Sequence, residues 1–167
     1  MNKRIYLIGF MGSGKSTFGK KLAKELALPF IDLDKEIEVK AKCSITDIFK
    51  YLGEDTFRKM ESDTLHELSD REEFVMATGG GTPCYFNNIE QINNNGTSIY
   101  IELDIQSIYN RLSQAKNIRP TIKDKKEEEL LQFIKEKIEE RKPIYEKADL
   151  IINGLSVNLK EVVSKLI

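Results

Sequence analysis

The stretch Gly9-Phe10-Met11-Gly12-Ser13-Gly14-Lys15-Ser16 fits the pattern GxxxxGK[ST], and its flanks are those the pattern requires. The apolar run RIYLI at 4–8 precedes it, and Phe18, Leu22 and Leu26 follow at four-residue spacing, the period of one helix face. A strand, a glycine loop and a helix in that order curl successive backbone N–H groups round phosphate oxygens, and the helix N-terminus adds partial positive charge. Lys15 is placed to reach the β and γ phosphates of a nucleotide and the Ser16 hydroxyl to ligate Mg2+, with Gly12, Ser13, Gly14 and Thr17 completing the phosphate site.

The rest of the chain extends this first unit. Pro29 opens PFIDLD, whose Phe30, Ile31 and Leu33 predict a buried strand two or three residues after the helix, which closes a βαβ unit. Helical stretches are expected near 34–41, from Ser44 with Asp47 three residues on, and over 54–69 with Phe57, Met60, Leu65 and Leu68 as its buried stripe. FVMAT (74–78), TSIYIEL (97–103) and DLIIN (149–153) read as further strands, and the Asn-rich stretch 87–95 as a polar helix ending before Gly96. Strands alternating with helices predict an α/β fold, a mostly parallel sheet with helices on both faces. The segment 116–129 is charged, Pro-broken and poor in apolar residues, which predicts an exposed mobile loop.

Bulk properties narrow the setting. The 167 residues suit one compact domain that needs no disulfide or metal staple, and Cys43 and Cys84, with no CxxC or Cys/His clustering, are expected as free thiols. A net charge of -1 supplies no field for grasping polyanions, so no nucleic-acid or membrane-surface partner is expected. The basic start and its short apolar run lead straight into the glycine loop, which reads as a cytoplasmic protein, and without a heptad seam or long apolar patch a monomer is expected.

A phosphate loop serves GTPases, ATPase motors and kinases alike, so the other polar residues have to discriminate. Asp32 and Asp34 alternate at the end of the second strand, which points both carboxylates to one side near the loop; one can hold Mg2+ and the other orient an acceptor hydroxyl. The plainer alternative is that Asp34 only caps a helix starting at Lys35. Arginine is scarce: Arg4, Arg58, Arg71, Arg111, Arg119 and Arg141 stand against a large excess of lysine. Arg4 and Arg71 precede strands and belong at the edge away from the ligand crevice. Arg58 has Glu61 at i+3, a spacing that lets the carboxylate fix the guanidinium for bidentate recognition of a carboxylate, or that merely makes a surface ion pair. Gly79-Gly80-Gly81 ends a strand, where missing side chains let the backbone approach a ligand. Cys84 and His66 are read as structural.

Together, GFMGSGKST, DLD at 32–34, Phe57-Arg58-Lys59-Met60-Glu61, ATGGG and Arg119-Pro120 resemble the shikimate kinase family over almost the whole chain. The resemblance implies a three-layer P-loop kinase fold of the nucleoside-monophosphate-kinase type, with five parallel strands, a helical substrate-binding region at about 34–62 and a mobile lid at about 113–126. It implies transfer of the ATP γ-phosphoryl to the 3-hydroxyl of shikimate, with Mg2+ as cofactor and shikimate and ATP as partners. Carried over residue by residue, it makes Asp34 a ligand of the shikimate hydroxyls and base, and Arg58, Gly79, Gly80, Gly81 and Arg141 substrate contacts. Lys15 and Arg119 would stabilise the transferring phosphoryl group, and Ser16 and Asp32 would hold the metal.

The chain also departs from that pattern. Thr121-Ile122 follow Arg119-Pro120 where two leucines are frequent, Thr82-Pro83 follow the glycines where an aliphatic residue is usual, and no arginine stands near 157–158 to meet an adenine. The third strand lacks the acidic residue of a usual Walker B, which leaves Asp32 as the metal's carboxylate. Gluconate and nucleotide kinases are the nearest alternative enzymes, and a nucleotide-sensing module without catalysis is the alternative of a different class.

Overall fold

A computed structural model describes residues 3–115 and 122–167. Five strands form one sheet: β1 (Arg4–Ile8), β2 (Phe30–Asp32), β3 (Phe74–Ala77), β4 (Thr97–Glu102) and β5 (Leu150–Asn153). The order is β2-β3-β1-β4-β5 and every pairing is parallel, with Leu7 opposite Ala77 on one side and Ile99 on the other. The helices are α1 (Lys15–Leu26), α2 (Leu33–Ala41), α3 (Ile45–Ser69), α4 (Asn88–Asn95), α5 (Ile105–Ser113), α6 (Glu127–Tyr145) and α7 (Leu159–Leu166), with one 3-10 turn at Thr82–Cys84.

Strand periodicity divides the core. Tyr6, Ile8, Phe74, Met76 and Tyr100 point into a cluster shared with α2 to α6, whereas Ile5, Leu7, Val75, Ile99 and Ile101 face Phe18 and Leu22 of α1 and Val162 of α7. Alternate residues of one strand thus serve opposite faces, which is why these strands read as continuous apolar runs. The sequence expectation of a sheet between two helix layers is met, and no described helix is long and apolar enough to cross a membrane.

Three boundaries differ from expectation. The second strand stops at Asp32, because the Asp32 carboxylate accepts the Lys35 amide (3.3 Å) and caps α2, turning Leu33 and Asp34 into its first turn. Asp34 therefore neither ends a strand nor caps a helix. The expected helices before and after residue 53 join as α3, broken at Gly53 (φ 82°, ψ 168°). The charged segment does not stay irregular up to 129: Glu127, Glu128 and Glu129 form the first turn of α6, where acidic side chains complement the positive end of the helix dipole, and Ile122 is buried in the core.

Candidate active site

The phosphate loop leaves β1 at Gly9 and enters α1 at Lys15. Gly12 and Gly14 take positive φ (77° and 96°), which side-chain-bearing residues rarely adopt, so glycine at these positions shapes the turn. No side chain caps α1 and no acidic residue stands in its first turn, so its leading amides remain available to an anion. Lys15 is buried and its Nζ donates to the Gly9 and Phe10 carbonyls at 2.7 and 2.8 Å. Ser16 Oγ donates to Asp32 Oδ2 at 3.2 Å. Lys15, Ser16, Thr17, Asp32 and Asp34 line one cleft of about 590 Å3 along this edge of the sheet. Capping by Asp32 thus delivers Asp34 to the cleft from the helix turn, not from the strand.

A second cavity of about 230 Å3 adjoins the first, with Met11 and Ile45 in the walls of both. Arg58, Glu61, Gly79, Gly80, Gly81 and Arg141 line it. Arg58 is 8% exposed and Arg141 6%, so both guanidiniums have surrendered most of their hydration. Arg58 Nη1 donates to Glu61 Oε1 at 2.9 Å, its Nη2 reaches Glu54 at 3.4 Å, and its guanidinium stacks 4.1 Å from the centre of the Tyr85 ring. Arg141 lies over the Phe10 ring at 5.7 Å, and its Nη1 has no hydrogen-bond acceptor among the described residues. A buried donor left so is costly until an acceptor arrives, and the donor set suits a carboxylate.

The glycines are what let this second cavity close. A Cβ on Gly80 would stand 2.9 Å from the Met11 amide, and one on Gly81 2.6 and 2.7 Å from the two Nη atoms of Arg58. The turn consequently lies flat between the phosphate loop and the guanidinium. Tyr145, fully buried, donates its hydroxyl to the Gly80 carbonyl and so ties α6 to the same turn.

Burial sets the charge states. It pushes the Glu61 carboxyl above its usual value, against the pull of Arg58 and of the Thr82 hydroxyl. It also works against the Arg58 charge, but Glu61, with Tyr85 and Glu54, more than compensates and the guanidinium stays ionised. The Cys84 thiol, half-buried nearby, is pushed up to about 11 by burial and remains a neutral bystander, and His66 is exposed on α3. Arg4 and Arg71 meet at the opposite edge of the sheet, the Arg4 Nε donating to the Arg71 carbonyl at 2.6 Å. Arg119, and with it the centre of the expected lid, lies outside the described residues.

Two features escaped the sequence reading. Arg111, on α5, donates through Nη1 to the Gly12 carbonyl (3.2 Å) and lines both the phosphate cleft and a neighbouring cavity of about 590 Å3 formed with Gly154, Val157 and Leu159. It sits in the last turn of α5, the helix that follows β4, and the scarcity of arginine in the chain was the available signal. Phe49, Phe133 and Lys137 also line the second cavity, but helical periodicity alone cannot separate them from core or surface.

Comparison with known proteins agrees with this geometry. A family model described as shikimate kinase matches residues 11–167. The shikimate kinase of Bacteroides fragilis is 45% identical over 148 residues, 89% of this chain and 83% of that one. The crystal structure of shikimate kinase from Bacteroides thetaiotaomicron superposes with a TM-score of 0.90 at 37% identity, covering 98% of this chain and 95% of that one. A shikimate kinase from Acinetobacter baumannii in complex with shikimate gives 0.85 at 34% identity, covering 98% and 89%. With a phosphate loop at one end of the cleft, a cavity lined by two buried arginines at the other, and relatives this similar over nearly its whole length, the chain belongs to the shikimate kinase family.

Proposed function

We propose that this enzyme transfers the γ-phosphoryl group of ATP to the 3-hydroxyl of shikimate, giving shikimate 3-phosphate and ADP on the way to chorismate and the aromatic amino acids. The observation that supports it best is the acceptor cavity: two nearly dry guanidiniums, one held by Glu61 and one with an unmatched donor, beside a phosphate loop. An acceptor with one carboxylate places that group on Arg58 and Arg141 and its hydroxyls toward Asp34 and Gly79, where a Cβ on Gly79 would stand 3.3 Å from Asp34 Oδ1.

In this reading the phosphates lie in the loop and on the α1 N-terminus, with Gly12 to Thr17 around them. Lys15 exchanges its two carbonyl acceptors for β and γ oxygens, and Arg111 flanks the nucleotide beside the 154–157 loop. Asp34 accepts the hydrogen bond of the attacking hydroxyl and takes its proton as the oxygen–phosphorus bond forms and the bridging bond to ADP breaks. Arg119 closes over the γ-phosphoryl as part of a lid spanning about 113–126, opposite a substrate-binding region at about 34–62.

The residues present also fit a Mg2+ ion. Ser16 and Asp32 offer neighbouring oxygen donors at the cleft, and the described residues contain no cage of three or more His, Cys, Asp or Glu, as suits a cation held chiefly by phosphates and water. When bound, the ion neutralises charge on the phosphate oxygens. We also propose a monomer of one domain acting in the cytoplasm, which light scattering after gel filtration and cell fractionation would check. An assay coupled to ADP release, run with shikimate, quinate, gluconate and nucleoside monophosphates, tests the activity: turnover is expected with shikimate, and its absence overturns the proposal.

A further inference from the structure

Thr82 directly follows the glycine triplet, and its side chain is fully buried. The Thr82 Oγ1 donates to Glu61 Oε2 at 2.7 Å while Arg58 Nη1 donates to Glu61 Oε1 at 2.9 Å, so the two oxygens of one carboxylate are divided between a hydroxyl and a guanidinium. Glu61 itself is 1% exposed. The Thr82 backbone is fixed in turn: its carbonyl accepts from Asn88 Nδ2 at 2.8 Å, and Asn88 Oδ1 accepts from Ser62 Oγ at 2.7 Å. Asn88 is fully buried and Ser62 6% exposed. The relay therefore runs from α3 to α4, through the 3-10 turn, and back to the face of α3 that carries Arg58.

We propose that Thr82 is a positioning residue for acceptor recognition, its hydroxyl holding the Glu61 carboxylate in the rotamer that aims Arg58 into the cavity. The proposal rests on the reading of Arg58 as the partner of the acceptor's carboxylate. A buried carboxylate with one oxygen unsatisfied rotates or takes up a proton, and either change releases the guanidinium that Glu61 orients. The groups facing Glu61 are Arg58 on α3, Asp34 on α2, the Thr82 hydroxyl and the Cys84 thiol, and burial already favours the neutral carboxyl. An aliphatic residue at 82 would fill the space but supply no donor. Thr82 thereby touches neither substrate, and its effect reaches the acceptor through Arg58 alone.

The test is steady-state kinetics of the full chain with shikimate and ATP varied separately, for Thr82→Val, Thr82→Ser and Arg58→Gln, and for Thr82→Val combined with Arg58→Gln. Losing one hydrogen bond to a charged group predicts that Thr82→Val raises KM for shikimate about tenfold, with kcat and KM for ATP within about twofold. Thr82→Ser, which keeps the hydroxyl, restores the wild-type KM. On the Arg58→Gln background Thr82→Val adds less than about twofold, because the residue it acts through is already gone. Unchanged KM for shikimate in Thr82→Val, equal increases for both substrates, or multiplicative effects in the double variant would each overturn the proposal. Should Thr82→Val not fold, Thr82→Ala carries the same comparison, and failure of both to fold would also overturn it by placing the hydroxyl in the scaffold. Wild-type enzyme inert toward shikimate would instead overturn the proposed activity, an outcome separable from all of these.

Discussion

The phosphate loop and the acceptor cavity share Met11 and Ile45 as walls, yet they are built in opposite ways. The loop is one run of eight residues whose backbone amides are proposed to do the binding, shaped by its own glycines and by the helix it opens. The cavity is gathered from α3, α6 and the turn after β3, and its chemistry resides in side chains buried far from one another in sequence. A contiguous backbone site tolerates variation around it, whereas a gathered site depends on the packing that brings its parts together. The two faces of the core repeat the contrast. Tyr6, Tyr100 and Tyr145 all lie in the cluster on the cavity's side of the sheet, while the cluster beneath α1 is aliphatic apart from Phe18 and Phe30.

Substitutions can break this comparison or sharpen it. The largest effect belongs to Lys15→Ala, which removes the one side-chain charge of the loop: kcat should fall about a thousandfold while the circular dichroism spectrum is retained. A fall shared with loss of fold would mean that the Lys15 bonds to Gly9 and Phe10 hold the scaffold as well. Asp34→Asn, at the junction of the two regions, should cost about a hundredfold in kcat with KM for ATP unchanged, and full activity would remove Asp34 from the chemistry.

Gly81→Ala is the sharper probe of the cavity alone. Its Cβ would stand 2.6 and 2.7 Å from the Arg58 Nη atoms, so KM for shikimate should rise about tenfold and KM for ATP should not move. Equal changes in both would erase the distinction between the regions.

The smallest effect is on stability at high pH. Burial raises the Tyr6 and Tyr145 hydroxyls above the ordinary tyrosine range, and takes Tyr100 up to about 12. A raised folded-state value means stability that is complete below the unfolded value of 10.0 and is lost as pH climbs above it, because the unfolded chain releases protons that the folded chain keeps. The urea midpoint should therefore fall above about pH 10. Tyr145→Phe should lower stability by about 1 kcal/mol at pH 7, through the lost bond to Gly80, and make the alkaline decline shallower. An unchanged slope would show that Tyr145 does not contribute to it.

What was legible in the sequence follows the same division. The loop, its strand and helix, and the alternation of strands with helices were readable because each depends on residues within a turn or two of one another. The end of β2 was misplaced because Phe30, Ile31 and Leu33 look alike as apolar residues, and only the cap formed by Asp32 decides that Leu33 begins a helix. Arg58 and Glu61 were visible as an i,i+3 pair, but spacing could not tell a surface ion pair from a buried one; the glycine turn and Thr82 packed against them settle that point. Arg111 was passed over for lack of a motif, although it touches the loop across 99 positions of chain.

The sequence by itself determined the phosphate site and the layered α/β architecture, since both rest on local backbone geometry and short-period patterning. Tertiary structure alone decided that Arg58 and Arg141 border one cavity, that Asp34 reaches the cleft from a helix turn, and that Glu61 is shared between a guanidinium and a hydroxyl. The physical reason is burial. A charged side chain has a defined partner and orientation only once water is excluded from it, and which groups exclude that water is settled by contacts between elements remote in the chain.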